Sequence, residues 1–169
     1  YNVSSDLGKV AETIANKGLK GVEEFEINLF NPIRPMLADR VKSEEEAIEK
    51  LGEKFAAEYK LDGERVQLHI EEEKVILFSR SLENITSYYP DIVEKIPKAI
   101  HAEKTILEAE AVAINENTGE FLPFQELMHR RRKYQVEKAV TQYPITVNFF
   151  DVLGIGAFAP QTALLKFTK

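Results

Sequence analysis

Lys60 lies two residues after a glutamate and just before an aspartate-glycine pair, in a stretch that reads EYKLDGER from Glu58 to Arg65. An amine attacks an electrophile only when it is uncharged, and burial or a neighbouring cation lowers a lysine pKa toward neutrality. Attack by such an amine on the α-phosphorus of a nucleoside triphosphate gives a lysyl-phosphoramidate. Arg65 carries the planar donor fork that suits phosphate or ribose oxygens. The bland alternative is a surface hairpin in which Lys60, Asp62 and Arg65 are solvated charges. Against it stands the spacing K-x-D-G-x-R, which a chain of this length contains by chance about once in a thousand sequences if each residue type is roughly one in twenty.

The elements that must position Lys60 follow from hydrophobic periodicity. Phe55, Ala56, Ala57 and Tyr59 predict a short apolar strand, and Val66, Leu68 and Ile70 alternate with Gln67 and His69 as a second strand would. The turn Leu61-Asp62-Gly63 joins them, since glycine accepts positive φ and aspartate hydrogen-bonds its own backbone. Lys60 is thereby expected at a strand end beside a bend. Ser43 with Glu46 forms a capping box for a short helix ending near Gly52, and Val75 to Phe78 predicts a third strand. Pro90 opens a helix over residues 91–100, residues 105–114 form a long strand, residues 124–143 are expected to be helical, and residues 145–153 close with another strand. Upstream, Leu7, Val10, Ala11 and Ile14 predict an amphipathic helix that Gly18 ends. Residues 25–30 alternate like a strand, and Pro32 and Pro35 place a linker over residues 28–36.

Other residues could serve the same chemistry. Arg80 follows Ser79 at the end of a predicted strand, where an isolated Ser-Arg pair is ordinarily surface and a site for phosphate is the alternative. In ILEAEAVA, Glu108 and Glu110 share one face of a strand and need either solvent or a cationic or hydrogen-bonding partner. Phe149 and Phe150 alternate, so one is expected in the core while the other is free to stack on a purine ring. Arg130 to Lys133 is a basic run, which is either a solvated helix face or a contact for a nucleic-acid backbone. His69, His101 and His129 have no metal-ligand spacing.

A chain of 169 residues that is 44% hydrophobic buries one core. With no cysteine, any metal must be held by carboxylates and phosphates, which points to magnesium. The formal charge of −6 means that any nucleic-acid contact must come from local basic patches. Neither a membrane-length apolar run nor a signal peptide is present, and a soluble cytoplasmic protein is expected.

The motif at Lys60, the segment NPIRPML from Asn31 to Leu37, Ser79-Arg80 with Glu83, and Phe149-Phe150-Asp151 together resemble the ATP-dependent DNA ligases, most closely the replicative ligases of archaea. The resemblance runs from about Tyr1 to Leu153. It implies an α+β fold of antiparallel sheets with flanking helices, ATP-grasp-like, as in the adenylation domain of ligases and capping enzymes. Residues 1–28 would be the last helix of an upstream helical DNA-binding domain, and residues 29–169 the first part of the adenylation domain.

The roles that the resemblance implies are Lys60 as the adenylated nucleophile, Glu58 on the adenine edge, Arg65 on ribose and phosphate, Arg80 on phosphate, Phe150 stacked on the base, and Glu110 on ribose or linked to magnesium. The cofactors would be ATP, as covalent AMP, and magnesium. The partners would be nicked duplex DNA and a sliding clamp reached through regions outside this chain, with no membrane. Where the family carries Asp-Gly before its glutamate, this chain has Glu108-Ala109. After Leu153 the sequence departs from the family pattern, and its later glutamate and lysine-pair elements are not visible, so a partial catalytic domain without nick-sealing activity is expected. The other readings are an RNA ligase or capping-type nucleotidyltransferase, which share K-x-D-G-x-R, and a noncatalytic nucleotide- or partner-binding module.

Overall fold

The computed structural model describes residues 5–25, 27–131 and 134–156. Its centre is a four-stranded antiparallel sheet in the order β2-β1-β3-β4, formed by β1 (Glu64–Glu71), β2 (Lys74–Ser79), β3 (Lys104–Ala113) and β4 (Ile145–Ile155). The architecture is therefore α+β, with the described strands in a single sheet. β1 and β2 form a tight hairpin in which Glu71 faces Lys74 and Glu72 adopts a left-handed φ of 53°.

The alternation of β1 sorts its residues onto two faces. Val66, Leu68 and Ile70 are fully buried on one face, among Leu77 of β2, Leu107, Ala109 and Ala111 of β3, and Ile92 and Ile96 of α4 (Pro90–Ala99). Each such side chain contributes roughly 1.5–3 kcal/mol by leaving water. The opposite face carries Arg65, Gln67 and His69, with Glu110 opposite Arg65 and Glu108 opposite Gln67 on β3.

Residues 28–34 cross that polar face. Pro32 has no N–H to give a ladder, so side chains hold the segment instead. The Gln67 amide accepts from the Ile33 N–H at 2.7 Å and donates to the Ile33 carbonyl at 3.0 Å, and His69 Nδ1 accepts from the Phe30 N–H at 2.9 Å. Lys74 Nζ stands 3.9 Å from the centre of the Phe30 ring. The described residues of the strand expected over 25–30 form no strand. The linker expected over residues 28–36 is irregular and is pinned to the sheet.

The helix caps fall as the residue types require. Asp6 accepts from the Lys9 N–H at the start of α1 (Leu7–Lys17), and Gly18 closes that helix on the Ile14 carbonyl. α2 is the single turn Lys20–Glu23. Ser43 caps α3 (Glu44–Leu51), while Glu46 reaches back to the Lys42 N–H.

Two further expectations are corrected. Residues 55–59 are exposed and have no regular structure, because neither described edge strand, β2 or β4, pairs with them. The expected helix over residues 124–143 is two short helices, α5 (Phe124–Met128) and α6 (Val136–Gln142), with a break between them. Arg130 lies in that break with its side chain fully buried. Its guanidinium forks onto Asp91 at 2.9 and 2.8 Å and donates to the Tyr143 and Val140 carbonyls. No described helix is long and apolar enough to cross a membrane.

Candidate active site

Glu110 sits on the inner strand β3, so it is not the solvated edge carboxylate that the sequence also allowed. Its Oε1 accepts from the Gly63 N–H at 3.1 Å. A Cβ on Gly63 would lie 2.2 Å from the Ala111 carbonyl oxygen, so only glycine lets the start of β1 press this closely on β3. Burial holds the Glu110 carboxyl above the usual range, opposed by the Gly63 N–H and by the charges of Lys60 and Arg65. The segment that carries Lys60 is thus tied to the sheet at Gly63, which has no positive φ, so the tight turn expected over Leu61-Asp62-Gly63 is only a bend and the glycine serves close approach instead. Lys60 itself is exposed, not buried, and it leads an irregular segment into β1 where a strand end was expected.

Two clefts meet at this lysine. The first, of about 600 Å³, lies between residues 58–61 and a wall of Phe121, Asn148, Phe149 and Phe150. The second, of about 810 Å³, is lined by cations and carboxylates, among them Arg65, Arg80, Arg131, Asp62 and Glu64. Lys60 and Glu110 line both. The apolar cleft suits a planar base and the charged one suits phosphates.

The wall of the first cleft depends on a bulge. Glu108 faces Asp151 and Ala109 faces Phe149, so Phe150 has no partner residue on β3. Simple alternation sends Phe149 to the core, but the structure leaves it 39% exposed in the same cleft as Phe150. Glu58 lines this cleft as expected, and Phe121, which carries no motif, joins it.

Arg65 is less free than a phosphate ligand would be. Its Nε and Nη2 both donate to the buried Glu108 carboxylate, Nε at 3.1 Å, and its guanidinium carbon stands 5.1 Å from the centre of the Phe150 ring. Glu108 also accepts from Gln67 at 3.1 Å. Arg80 is exposed at the tip of the return after β2, where Ser79 and Glu83 pair through their backbones and Leu82 takes a left-handed φ of 68°. Neither Lys60 nor Arg80 forms an ion pair among the described residues.

The expected nucleic-acid contact at residues 130–133 is not supported where it is described. Arg130 is the buried staple described above. Arg131 binds Glu64, whose Oε2 also accepts from the Tyr89 hydroxyl. Burial, and then the Glu64 charge, raise the Tyr89 hydroxyl pKa. Arg132 and Lys133 lie outside the described residues. Sequence reading missed Glu64, Tyr89 and Asp91 because their partners lie 25 to 67 positions away.

The family described as ATP dependent DNA ligase domain matches residues 35–159, six residues beyond the point where the motif resemblance stops. The DNA ligase of Nitrosopumilus maritimus is 82% identical over 153 residues, which is 90% of this chain and 26% of that protein. The DNA ligase of Saccharolobus solfataricus is 46% identical over the same length, again 90% of this chain and 26% of that protein. The chain thus spans about a quarter of the length of the relatives it matches. A solved structure of the ligase domain of M. tuberculosis LigD shares 25% identity over 58% of this chain and 29% of its own, with a TM-score of 0.42. Because the family match takes in every residue that lines the two clefts, the chain belongs to the ATP-dependent DNA ligase domain family.

Proposed function

We propose that this chain carries the nucleotide-accepting chemistry of an ATP-dependent DNA ligase, with Lys60 as the nucleophile. The observation that carries the reading is the position of Lys60 at the junction of an aromatic cleft and a cationic one, on a segment that Glu110 holds at Gly63. Adenine enters the first cleft beside Phe150, with Glu58 accepting from its exocyclic amine. Guanine presents a carbonyl at that edge, which the carboxylate repels. The triphosphate lies in the second cleft near Arg80. Glu110 serves the ribose or the cation.

Lys60 Nζ, exposed to water, gives a proton to solvent and attacks the α-phosphorus through its lone pair. A P–N bond forms, the α–β P–O bond breaks, pyrophosphate leaves, and the nitrogen gives its second proton to solvent. In-line attack of this kind is governed by positioning and charge stabilisation, so the cations of the second cleft stabilise the transition state. Magnesium fits the donors present. Glu110 is a half-buried carboxylate with Asp62 close enough to act on it, and magnesium takes one or two carboxylates and completes its shell with substrate phosphates and water. When bound, the ion neutralises triphosphate charge.

The whole protein then transfers AMP to a 5′-phosphate and seals a nick in duplex DNA, as replication, repair and recombination require. It works in the cytoplasm, with a sliding clamp engaged outside this chain. The test is intact mass after incubation with ATP and magnesium. The wild type gains one AMP and Lys60→Ala gains none; an adduct on the variant, or one mapped to another lysine, removes Lys60 from the mechanism.

A further inference from the structure

We infer that Arg65 and Glu108 are positioning residues for the base: through Arg65, the pair holds the Phe150 ring as a platform. The inference rests on the reading above, in which the aromatic cleft takes adenine. Phe150 is the unpaired residue of a bulge, so the sheet ladder does not set its ring orientation. What meets the ring is Arg65, at 5.1 Å, a distance at which a guanidinium is attracted to an aromatic face.

Arg65 cannot easily turn away from that contact. Two of its nitrogens are held by Glu108, which is 3% exposed, and Gln67 holds the same carboxylate from the other side. Withdrawing Arg65 would leave a buried carboxylate short of its cation, which is a costly state. Gln67 is in turn fixed by the Ile33 backbone and by His69. The ring therefore stands at the end of a rigid series of polar groups.

The two clefts separate the roles. Phe150 lines the apolar cleft and Arg65 does not; Arg65 lines the charged one. The guanidinium therefore approaches Phe150 from outside the base cleft. A cation on one side of the ring draws π-density toward itself and leaves the other side less negative, which favours stacking of an electron-rich purine there. Lysine at position 65 keeps the charge but loses the planar fork that grips Glu108.

The test compares adenosine, which has no phosphate, with ATP by calorimetric titration of the wild type, Arg65→Lys, Glu108→Gln and Phe150→Leu, each checked for folding by circular dichroism. All three substitutions weaken adenosine about tenfold, and ATP by the same factor. A loss confined to ATP, with adenosine binding unchanged in Arg65→Lys, makes Arg65 a phosphate ligand and overturns the inference.

A readout without ligand keeps the inference separate from the functional reading. With 4-fluorophenylalanine at position 150, the fluorine resonance shifts on Arg65→Lys and on Glu108→Gln. An unmoved resonance in both variants overturns the positioning role. If the wild type binds neither adenosine nor ATP, the functional reading fails, while the fluorine shift still reports whether Arg65 sets the ring.

Discussion

The two faces of the sheet are built from the same strands and do opposite work. On one face, Val66, Leu68 and Ile70 meet α4 and the alanines of β3, and these apolar contacts need no specific partner beyond matching shape. On the other, Arg65, Gln67, His69 and Glu108 are joined by directed hydrogen bonds, Glu110 accepts from the Gly63 N–H, and among the described residues no buried side-chain polar atom lacks a partner. The apolar face is non-directional and resists unfolding. The polar face is directional, and it holds a backbone segment and a ring at fixed positions. One period-two strand serves both because its even residues go to one side and its odd residues to the other.

The comparison breaks first at Leu68. Leu68→Ala should cost roughly 2–5 kcal/mol by leaving a cavity in the apolar face. AMP adduct formation well below the melting temperature should stay near wild type. Denaturant unfolding together with intact mass checks both halves, and an adduct lost in the folded variant would mean that the two faces are not separable.

The polar face has its own signature in acid. Burial holds the His69 pKa down to about 4 from 6.5, so the folded chain keeps the ring neutral while the unfolded chain protonates it. The unfolded state binds more protons between those values, so stability is present above about pH 6.5 and is lost as pH falls toward 4, by up to about 3 kcal/mol. Urea midpoints measured across that range should fall for the wild type and fall less for His69→Gln. Equal slopes in the two proteins would assign the loss to other groups.

Gly63→Ala tests the tie between the sheet and the Lys60 segment. The added methyl meets the Ala111 carbonyl, and the strand must move at a cost of roughly 1–3 kcal/mol. The Lys60 segment moves with it, so adduct formation should fall more than tenfold, in line with the steep dependence of attack on geometry. A variant that is destabilised yet adenylates at the wild-type rate would show that Lys60 does not depend on Gly63. The smallest stability effect belongs to Lys60→Ala. An exposed side chain with no ion pair among the described residues should change stability by less than about 0.5 kcal/mol, read from the same urea curves, although its removal abolishes the adduct.

What could be read from residues alone divides along physical lines. The cap at Ser43 and the stop at Gly18 were legible because each group and the backbone it serves are three or four positions apart. β1 was legible because its alternation is strong, and β2 because Val75 to Phe78 is a compact apolar run. Residues 55–59 looked like a strand because an apolar run says nothing about whether an edge is available to pair with it. The break in residues 124–143 was hidden because Asp91, which draws Arg130 inward, is 39 positions away. The resemblance named Arg65 from its motif but not its commitment to Glu108, which depends on the register of β1 against β3. The same holds for Phe149, whose exposure follows from a bulge that alternation does not reveal.

The bulge at Phe150 also bears on how this site could be lost. A residue with no cross-strand partner can be deleted without shifting its neighbours: Asp151 stays opposite Glu108 and Phe149 stays opposite Ala109. An in-frame loss of that single codon would remove this bulge and the base platform together. A descendant could give up the nucleotide in one mutational step while inheriting an intact sheet, so a well-folded member of this lineage need not be an active one.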